Sequence, residues 1–395
     1  MPEARIFEDT KTAFQLQSDA DLKRARFLFR MIANPSLVRI GTGLTNLALN
    51  LNLPVKGLIR KTVFNHFCGG VTSEECMPKV HDMYSVGVSS ILDYSVEGKS
   101  TEEVFDAVLA KKLELIEHAA HEDALPFEVI KPTGLGRFAI WQAVTENKEL
   151  TPDEQAEWNR IKQRIDTVCA AAHKADVALL VDGEESWMQD ASDNLIDDMM
   201  ARYNKDRAII YNTVQLYRHD RMAYCQQLLE RAKTEDFIAG VKLVRGAYME
   251  KENLRAETMG YPTPICASKA ETDANYDRVL DFILDNLDHM ALCVATHNEA
   301  STLRAMQHIA EHDIDPRSDK VWFGQLYGMS DNLTYNLADH NYNSFKIVPF
   351  GPVKDVMPYL IRRAQENTSV AGQTGRELAL IEKELKRRKA AKKSA

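Results

Sequence analysis

Ile238-Ala-Gly-Val-Lys-Leu-Val-Arg-Gly-Ala-Tyr248 contains the pattern that decides the fold. Its first half, Ile238 to Val244, is a short apolar run interrupted by one lysine, and its second half turns polar at Arg245, Gly246 and Tyr248. A brief apolar run without alternation is what a strand buried on both faces requires. Seven more runs of this kind lie along the chain: Val88 to Tyr94, Phe127 to Lys131, Ala178 to Asp182, Ala208 to Gln215, Ala291 to Thr296, Lys320 to Gln325, and Asn343 to Val348. Between them run amphipathic segments of helical character, such as Thr101 to His121, Pro152 to Ala175 and Lys269 to Leu287. Strand alternating with helix implies a parallel sheet, and eight units over about 270 residues fit a closed (β/α)8 barrel of the α/β class. The alternative is an open doubly wound sheet, which usually begins with a glycine-rich phosphate loop. The nearest matches, Gly41-Thr-Gly43 and Gly134-Leu-Gly136, lack the third glycine. The expected organisation is a helical region at 1–87 packed on the barrel, the barrel at 88–370, and a C-terminal helix with a basic tail at 371–395.

The chain has 395 residues, 45% apolar and 27% charged, which is ordinary globular composition. A net charge of −9 argues against nucleic acid as a partner. The tail from Lys386 to Lys393, KRRKAAKK, concentrates six positive charges; it is either a frayed helix end or a contact for an anionic membrane. Cys68, Cys76, Cys169, Cys225, Cys266 and Cys293 show no CxxC spacing, which suits reduced thiols in a cytoplasmic protein. The N-terminal MPEARIFEDTK carries three acidic residues and no apolar centre, unlike a secretory signal or a transit peptide. No apolar run approaches the length of a membrane-spanning helix. The least polar stretch, Leu37 to Phe67, is broken by Gly41, Gly43, Pro54 and Gly57. It is either helices packed on the main domain or a surface that touches lipid, which would place the protein peripherally on the inner face of a membrane.

Barrel enzymes carry their chemistry at the C-terminal ends of the strands, and here those ends are polar. The runs finish at Asp93 and Tyr94; at Lys131; at Asp182, with Glu184 and Glu185 beyond; and at Gln215. The later ones finish at Lys242, Arg245 and Tyr248; at Thr296-His297-Asn298; and at Gln325 and Tyr327. Any one of these is compatible with a cap or a satisfied core polar group, but a whole ring of them points to a catalytic face. After the eighth run comes Tyr359-Leu-Ile-Arg-Arg-Ala-Gln-Glu-Asn367. Its adjacent Arg362 and Arg363 leave a helix about 100° apart. Two guanidiniums that close repel unless an anion lies between them, and their planar forks suit a carboxylate or a phosphate.

Carboxylates at the rim are too few for a two-metal site. His308-Ile-Ala-Glu311-His312 fits the H-x-x-E-H zinc pattern, but it falls late on its helix, toward the stability face of the barrel. Metal binding is therefore not expected there, nor at His118 and His121. Lys131 is open to three readings: a Schiff-base lysine of a barrel aldolase, a partner for a carboxylate, or one half of an ion pair. Gly246 and Ala247, directly after a strand, allow a flat ligand to approach the backbone. The flanking cations then polarise its electron-rich edge, which suits a flavin better than a sugar phosphate. A non-enzymatic helical scaffold is the remaining class and would carry no rim chemistry.

The chain resembles the proline dehydrogenase family over roughly residues 60–385. The resemblance rests on Ile91-Leu-Asp-Tyr-Ser-Val-Glu97, Val181-Asp-Gly-Glu-Glu185, Lys242-Leu-Val-Arg-Gly-Ala-Tyr248, Ala295-Thr-His-Asn298, Gln325-Leu-Tyr-Gly-Met329 and Tyr359 to Asn367. Its length is similar to monofunctional, eukaryotic-like members, with no aldehyde dehydrogenase module. The resemblance implies a distorted (β/α)8 barrel with non-covalent FAD. It implies oxidation of L-proline to Δ1-pyrroline-5-carboxylate, a membrane quinone as electron acceptor, and a separate downstream pyrroline-5-carboxylate dehydrogenase. By matching motif, Lys131, Arg362 and Arg363 hold the substrate carboxylate, and Glu366, one turn after Arg362, orients an arginine. Asp182, Tyr248, Leu326 and Tyr359 line the proline pocket. Gln215, Val244, Gly246, Ala247 and Gln325 fall to the cofactor, with Lys242 near flavin N5. Thr296, His297 and Asn298 meet other parts of the FAD, and Lys269 and Thr272 its adenosine or phosphate end. Asp93 and Glu97 match the first-strand motif.

One position departs from the family pattern. Two residues before the proline of the Pro349-Phe-Gly turn, most members carry a tyrosine that walls the pocket beside the proline ring; here it is Ile347. Relatives with a small residue there favour trans-4-hydroxy-L-proline. Isoleucine removes the aromatic wall without offering a hydroxyl a partner, and an unpaired hydroxyl costs roughly 1–3 kcal/mol. Proline is the favoured substrate and hydroxyproline the alternative.

Overall fold

All eight apolar runs are strands in the computed structural model, which describes residues 5–34, 57, 60–94, 100–369 and 373–394. They are β1 (Val88–Tyr94), β2 (Phe127–Ile130), β3 (Ala178–Val181), β4 (Ile210–Gln215), β5 (Ala239–Val244), β6 (Met290–Ala295), β7 (Val321–Leu326) and β8 (Ser344–Phe350). Expected and observed ends differ by no more than two residues. The helices used below are α1 (Asp19–Ile32), α2 (Glu102–Ala119), α3 (Pro152–Ala175), α4 (Ser186–Tyr203), α5 (Met249–Met259), α6 (Lys269–Leu284), α7 (Glu299–Glu311), α8 (Asp331–Asp339), α9 (Met357–Ser369) and α10 (Gln373–Ser394). The sheet runs β1-β8-β7-β6-β5-β4-β3-β2, and the recorded ladders are parallel. The fold is (β/α)8.

The chain gathers into two compact units. In the first, Gly98–Gly324, every residue of β2, β3 and β4 is buried, which explains why these strands lack alternation. Register sets the ends of β2 and β3 level, Ile130 opposite Val181, and those of β4 and β5 level, Gln215 opposite Val244, while Val181 pairs with Asn212, three residues before the end of β4. The residues just after β2 and β3 therefore emerge together, as do those just after β4 and β5. Helix α3 starts with a capping box between Thr151 and Glu154 and a proline at its first turn, and stops at Asp176 in the left-handed conformation (φ 57°).

The second unit joins Glu3–Glu97 to Gln325–Ala395. There β1 and β8 pair from Val88 opposite Ser344 to Tyr94 opposite Phe350. Helix α1 begins with a Ser18–Asp21 capping box, and its Leu22, Ala25 and Phe29 pack with Leu380 and Ile381 of α10. Most of Leu37 to Phe67 lies outside the described residues, but Phe64 and Phe67 at its end are buried in this unit's core. Among the described residues no helix is long and apolar enough to cross a membrane.

Inside the first unit, Lys112 of α2 bonds Glu128 of β2 at 2.8 Å, with side chains 6% and 2% exposed. Removing one partner strands a charge in a dry interior. Glu128→Ala is expected to destabilise the protein by about 3–5 kcal/mol, whereas Lys112→Met combined with Glu128→Leu recovers most of the loss. Urea unfolding midpoints check both.

Candidate active site

The C-terminal ends of β2, β3 and β5 bring three charged groups together. Asp182, just past β3, accepts from Lys242 Nζ of β5 in a very short contact. It also lies 3.6 Å from Lys131 Nζ, just past β2. The Asp182 backbone N–H donates to the Ile130 carbonyl at 2.9 Å, which continues the β2–β3 ladder and sets Asp182 level with Lys131. The Lys242 side chain is 4% exposed, against 37% for Lys131. One lysine is thus buried against the carboxylate, while the other has access to solvent.

A second layer surrounds Glu184, in the loop after β3. Its carboxylate accepts from Thr133 Oγ1 at 2.7 Å and from the Tyr248 hydroxyl at 3.0 Å. Its carbonyl accepts from Gln215 Nε2 at 2.6 Å, and its N–H donates to Gln189 Oε1 at 2.8 Å. Burial raises the Glu184 pKa above the ordinary carboxylate range; the bonds from Thr133 and Tyr248 work against that shift, and nearby Glu185 and Asp182 add to it. The glutamate therefore fixes the Tyr248 hydroxyl and, through its backbone, Gln215. The sequence pointed to Tyr248 and Gln215 but gave Glu184 no role. The available signal was a second acid two residues after a strand-end aspartate.

The third group follows β5 and β6. Arg245 donates to Asp273 at 2.7 Å, Thr296 Oγ1 at 2.8 Å and Ser301 Oγ at 3.0 Å, with its guanidinium 4.4 Å from the centre of the Tyr276 ring. Lys269 bonds the same Asp273 at 2.5 Å. Burial alone would raise the Asp273 pKa, but the bonds from Lys269 and Arg245 outweigh it and hold the carboxyl low. Asn298 caps α7, accepting from Ser301 N at 3.1 Å, and Thr272 donates to the Ser268 carbonyl at 3.2 Å. His297 is half-buried beside them. Gly246 sits at φ 125°, where a Cβ would strike the Tyr217 ring, so a side chain is excluded on conformational and steric grounds. Gly246 and Ala247 are exposed and Val244 half-buried. That exposed backbone, directly after Lys242 and Arg245 in the chain, leaves room for a flat ring to approach.

The second unit holds the remaining candidates. Gln325 is buried and accepts from Thr334 Oγ1 at 2.7 Å. Leu326 packs against a cluster that includes Tyr359, Met329 and Leu360. The Arg363 guanidinium lies 5.2 Å from the centre of the Tyr359 ring, and Arg362 and Arg363 are half-buried on α9. Ile347 is half-buried on β8, opposite Ile91 of β1. Its neighbour Lys346 is buried; Nζ bonds the Met329 carbonyl at 2.5 Å and Asp331 at 2.8 Å. A lysine inside an apolar strand run was the signal for this group. Glu366 falls on α9 at a position where only the backbone is described, and Glu97 lies outside the described residues.

A parallel α/β barrel with lysines, a carboxylate and hydroxyls at its strand ends defines an enzyme site. Residues 76–376 match the sequence profile described as Proline dehydrogenase, and the chain belongs to that family. It is 35% identical over 333 residues to the carbapenem antibiotics biosynthesis protein CarD of Pectobacterium carotovorum subsp. carotovorum, covering 84% of this chain and 86% of that one. It is 31% identical over 413 residues to hydroxyproline dehydrogenase of Xenopus laevis, covering 95% and 88%. Among solved structures, proline utilization A from Bdellovibrio bacteriovorus, inactivated by N-propargylglycine, shares the fold with a TM-score of 0.70 at 21% identity. The match covers 94% of this chain and 40% of that protein's length.

Glu184 carries a pH signature. Its pKa is raised in the folded state, so the folded protein binds more protons than the unfolded one. Stability is lost as pH rises above about 4.3, the unfolded value. Glu184→Gln abolishes that loss while keeping an acceptor for Tyr248. The melting temperature of the variant is expected to gain on wild type as pH rises from about 4.3 and to level off once the folded-state carboxyl has ionised; a constant difference would remove the buried-carboxylate assignment.

Proposed function

We propose that the protein is an FAD-dependent dehydrogenase that oxidises L-proline to Δ1-pyrroline-5-carboxylate and delivers the electrons to a membrane quinone. The reading rests on family membership together with the Lys131–Asp182–Lys242 cluster. When bound, FAD supplies the acceptor for the hydride that leaves proline C5. Lys242, Val244, Gly246, Ala247, Gln215 and Gln325 are assigned to hold the isoalloxazine. Thr296, His297, Asn298, Lys269 and Thr272 are assigned to the rest of the cofactor.

Arg362, Arg363 and Lys131 are assigned to the substrate carboxylate, and Asp182, Tyr248, Leu326 and Tyr359 to the walls around the ring. Glu366 is assigned to orienting an arginine. The amine must be neutral before hydride leaves C5, and nearby cations lower the pKa of a bound ammonium. Orientation of the ring supplies much of the remaining rate. Loss of hydride from C5 and a proton from nitrogen leaves the cyclic imine. The product then passes to a separate pyrroline-5-carboxylate dehydrogenase. The six thiols are free, in keeping with a cytoplasmic protein, peripheral on the membrane that holds the quinone.

A second substrate, trans-4-hydroxy-L-proline, is favoured by the extended match to a protein named hydroxyproline dehydrogenase, while Ile347 removes the pocket's aromatic wall but offers the hydroxyl no partner. Visible absorbance of the purified protein under anaerobic conditions separates the readings. Bleaching of a yellow protein by L-proline supports the proline reading. Bleaching only by trans-4-hydroxy-L-proline reverses the substrate assignment. A protein that stays colourless with added FAD would discard the flavin reading and restore the Lys131 aldolase alternative. Arg363→Met is expected to raise KM for proline by at least about tenfold, equivalent to about 1.4 kcal/mol, with flavin retained; unchanged kinetics would remove the carboxylate assignment.

A further inference from the structure

The end of α7 carries chemistry that the dehydrogenase does not use. His308 and His312 stack one turn apart, ring centres 4.1 Å from each other and planes at 19°. His308 Nε2 is buried without a hydrogen bond and lies 3.4 Å from Asp285 Oδ1, at the end of α6 on the neighbouring helix. One ligand atom from each of Asp285, His308 and His312 falls within 4.8 Å of the others. Among the described residues this is the one such cluster. Glu311, the acid of the H-x-x-E-H pattern, does not belong to it; the third ligand comes from a different helix, which no local pattern could reveal.

The donor geometry suits a cation. His312 Nδ1 lies 2.9 Å from the His308 carbonyl, and a proton donated there leaves the lone pair on Nε2. Tetrahedral ligands about 2.0 Å from a metal sit about 3.3 Å apart, so the three atoms must draw in slightly. Asp285, 58% exposed, and the exposed His312 have room to do so. One turn earlier, Arg304 bonds Asp281 at 2.8 and 3.0 Å and fixes the two helices side by side.

We propose that Asp285, His308 and His312 bind a borderline divalent transition cation of the zinc, nickel and copper class, which staples the C-terminal ends of α6 and α7. Two imidazoles and a carboxylate match such an ion and leave a fourth position for water.

The test is equilibrium dialysis of the tag-free, full-length flavoprotein against Zn2+, with metal content and melting temperature measured. Wild type is expected to take up one zinc per chain and to melt at a higher temperature when loaded. His312→Ala, at an exposed position that leaves folding intact, and Asp285→Asn are expected to weaken uptake at least about tenfold. Glu311→Gln is expected to leave it unchanged. Equal uptake by wild type and His312→Ala, no uptake by wild type, or loss in Glu311→Gln with retention in Asp285→Asn would each overturn the proposal. Because metal content is read without substrate, the result is independent of whether proline bleaches the protein.

Discussion

A lysine ammonium with almost no solvent access costs several kcal/mol unless an anion answers it. Lys242 is such a group, and Asp182 is its answer. The same carboxylate lies beside Lys131, so a single anion serves cations from the ends of two other strands. Within this cluster two positive charges face one negative. The arrangement depends on register: only because Ile130 pairs with Val181 do Lys131 and Asp182 emerge level.

The other rim side chains are held by hydrogen bonds of their own. Glu184 takes hydrogen bonds at both its side chain and its backbone, from Thr133, Tyr248 and Gln215. Arg245 spreads three donors over Asp273, Thr296 and Ser301, which ties the loop after β5 to α6 and α7. A functional constellation needs such supporting bonds, because side chains left to choose rotamers lose the alignment that chemistry requires.

Much of the fold was legible because burial on both faces leaves a simple mark, a short Val- and Ile-rich run, and helices alternate with such runs. The amphipathic segment from Pro152 to Ala175 likewise coincides with α3. The rim residues were legible as types, since polar groups at strand ends are conspicuous after apolar runs. Their partners were not. Nothing local in the sequence says that Asp182 belongs to Lys242, that Tyr248 rests on Glu184, or that Asp285 faces His308, because each pairing joins residues that only the packing of separate elements brings together. Lys346 was passed over for the opposite reason: a charge within an apolar run reads as an interruption until its acceptors, the Met329 carbonyl and Asp331, are seen.

That buried lysine has a consequence for how β8 is assembled. Successive side chains on a strand point to opposite faces, so a slip of one residue exchanges the whole set. An all-apolar strand would tolerate such a slip at modest cost. In β8 the slip would move the Lys346 ammonium from the Met329 carbonyl and Asp331 to the place now held by Ile347 or Phe345, and no misregistered pairing could recover its ligands. The charge works as a key that admits a single alignment, and it does so one residue away from Ile347, the position proposed to bear on substrate choice. Changes at 347 can therefore be tried without loosening the strand that presents them.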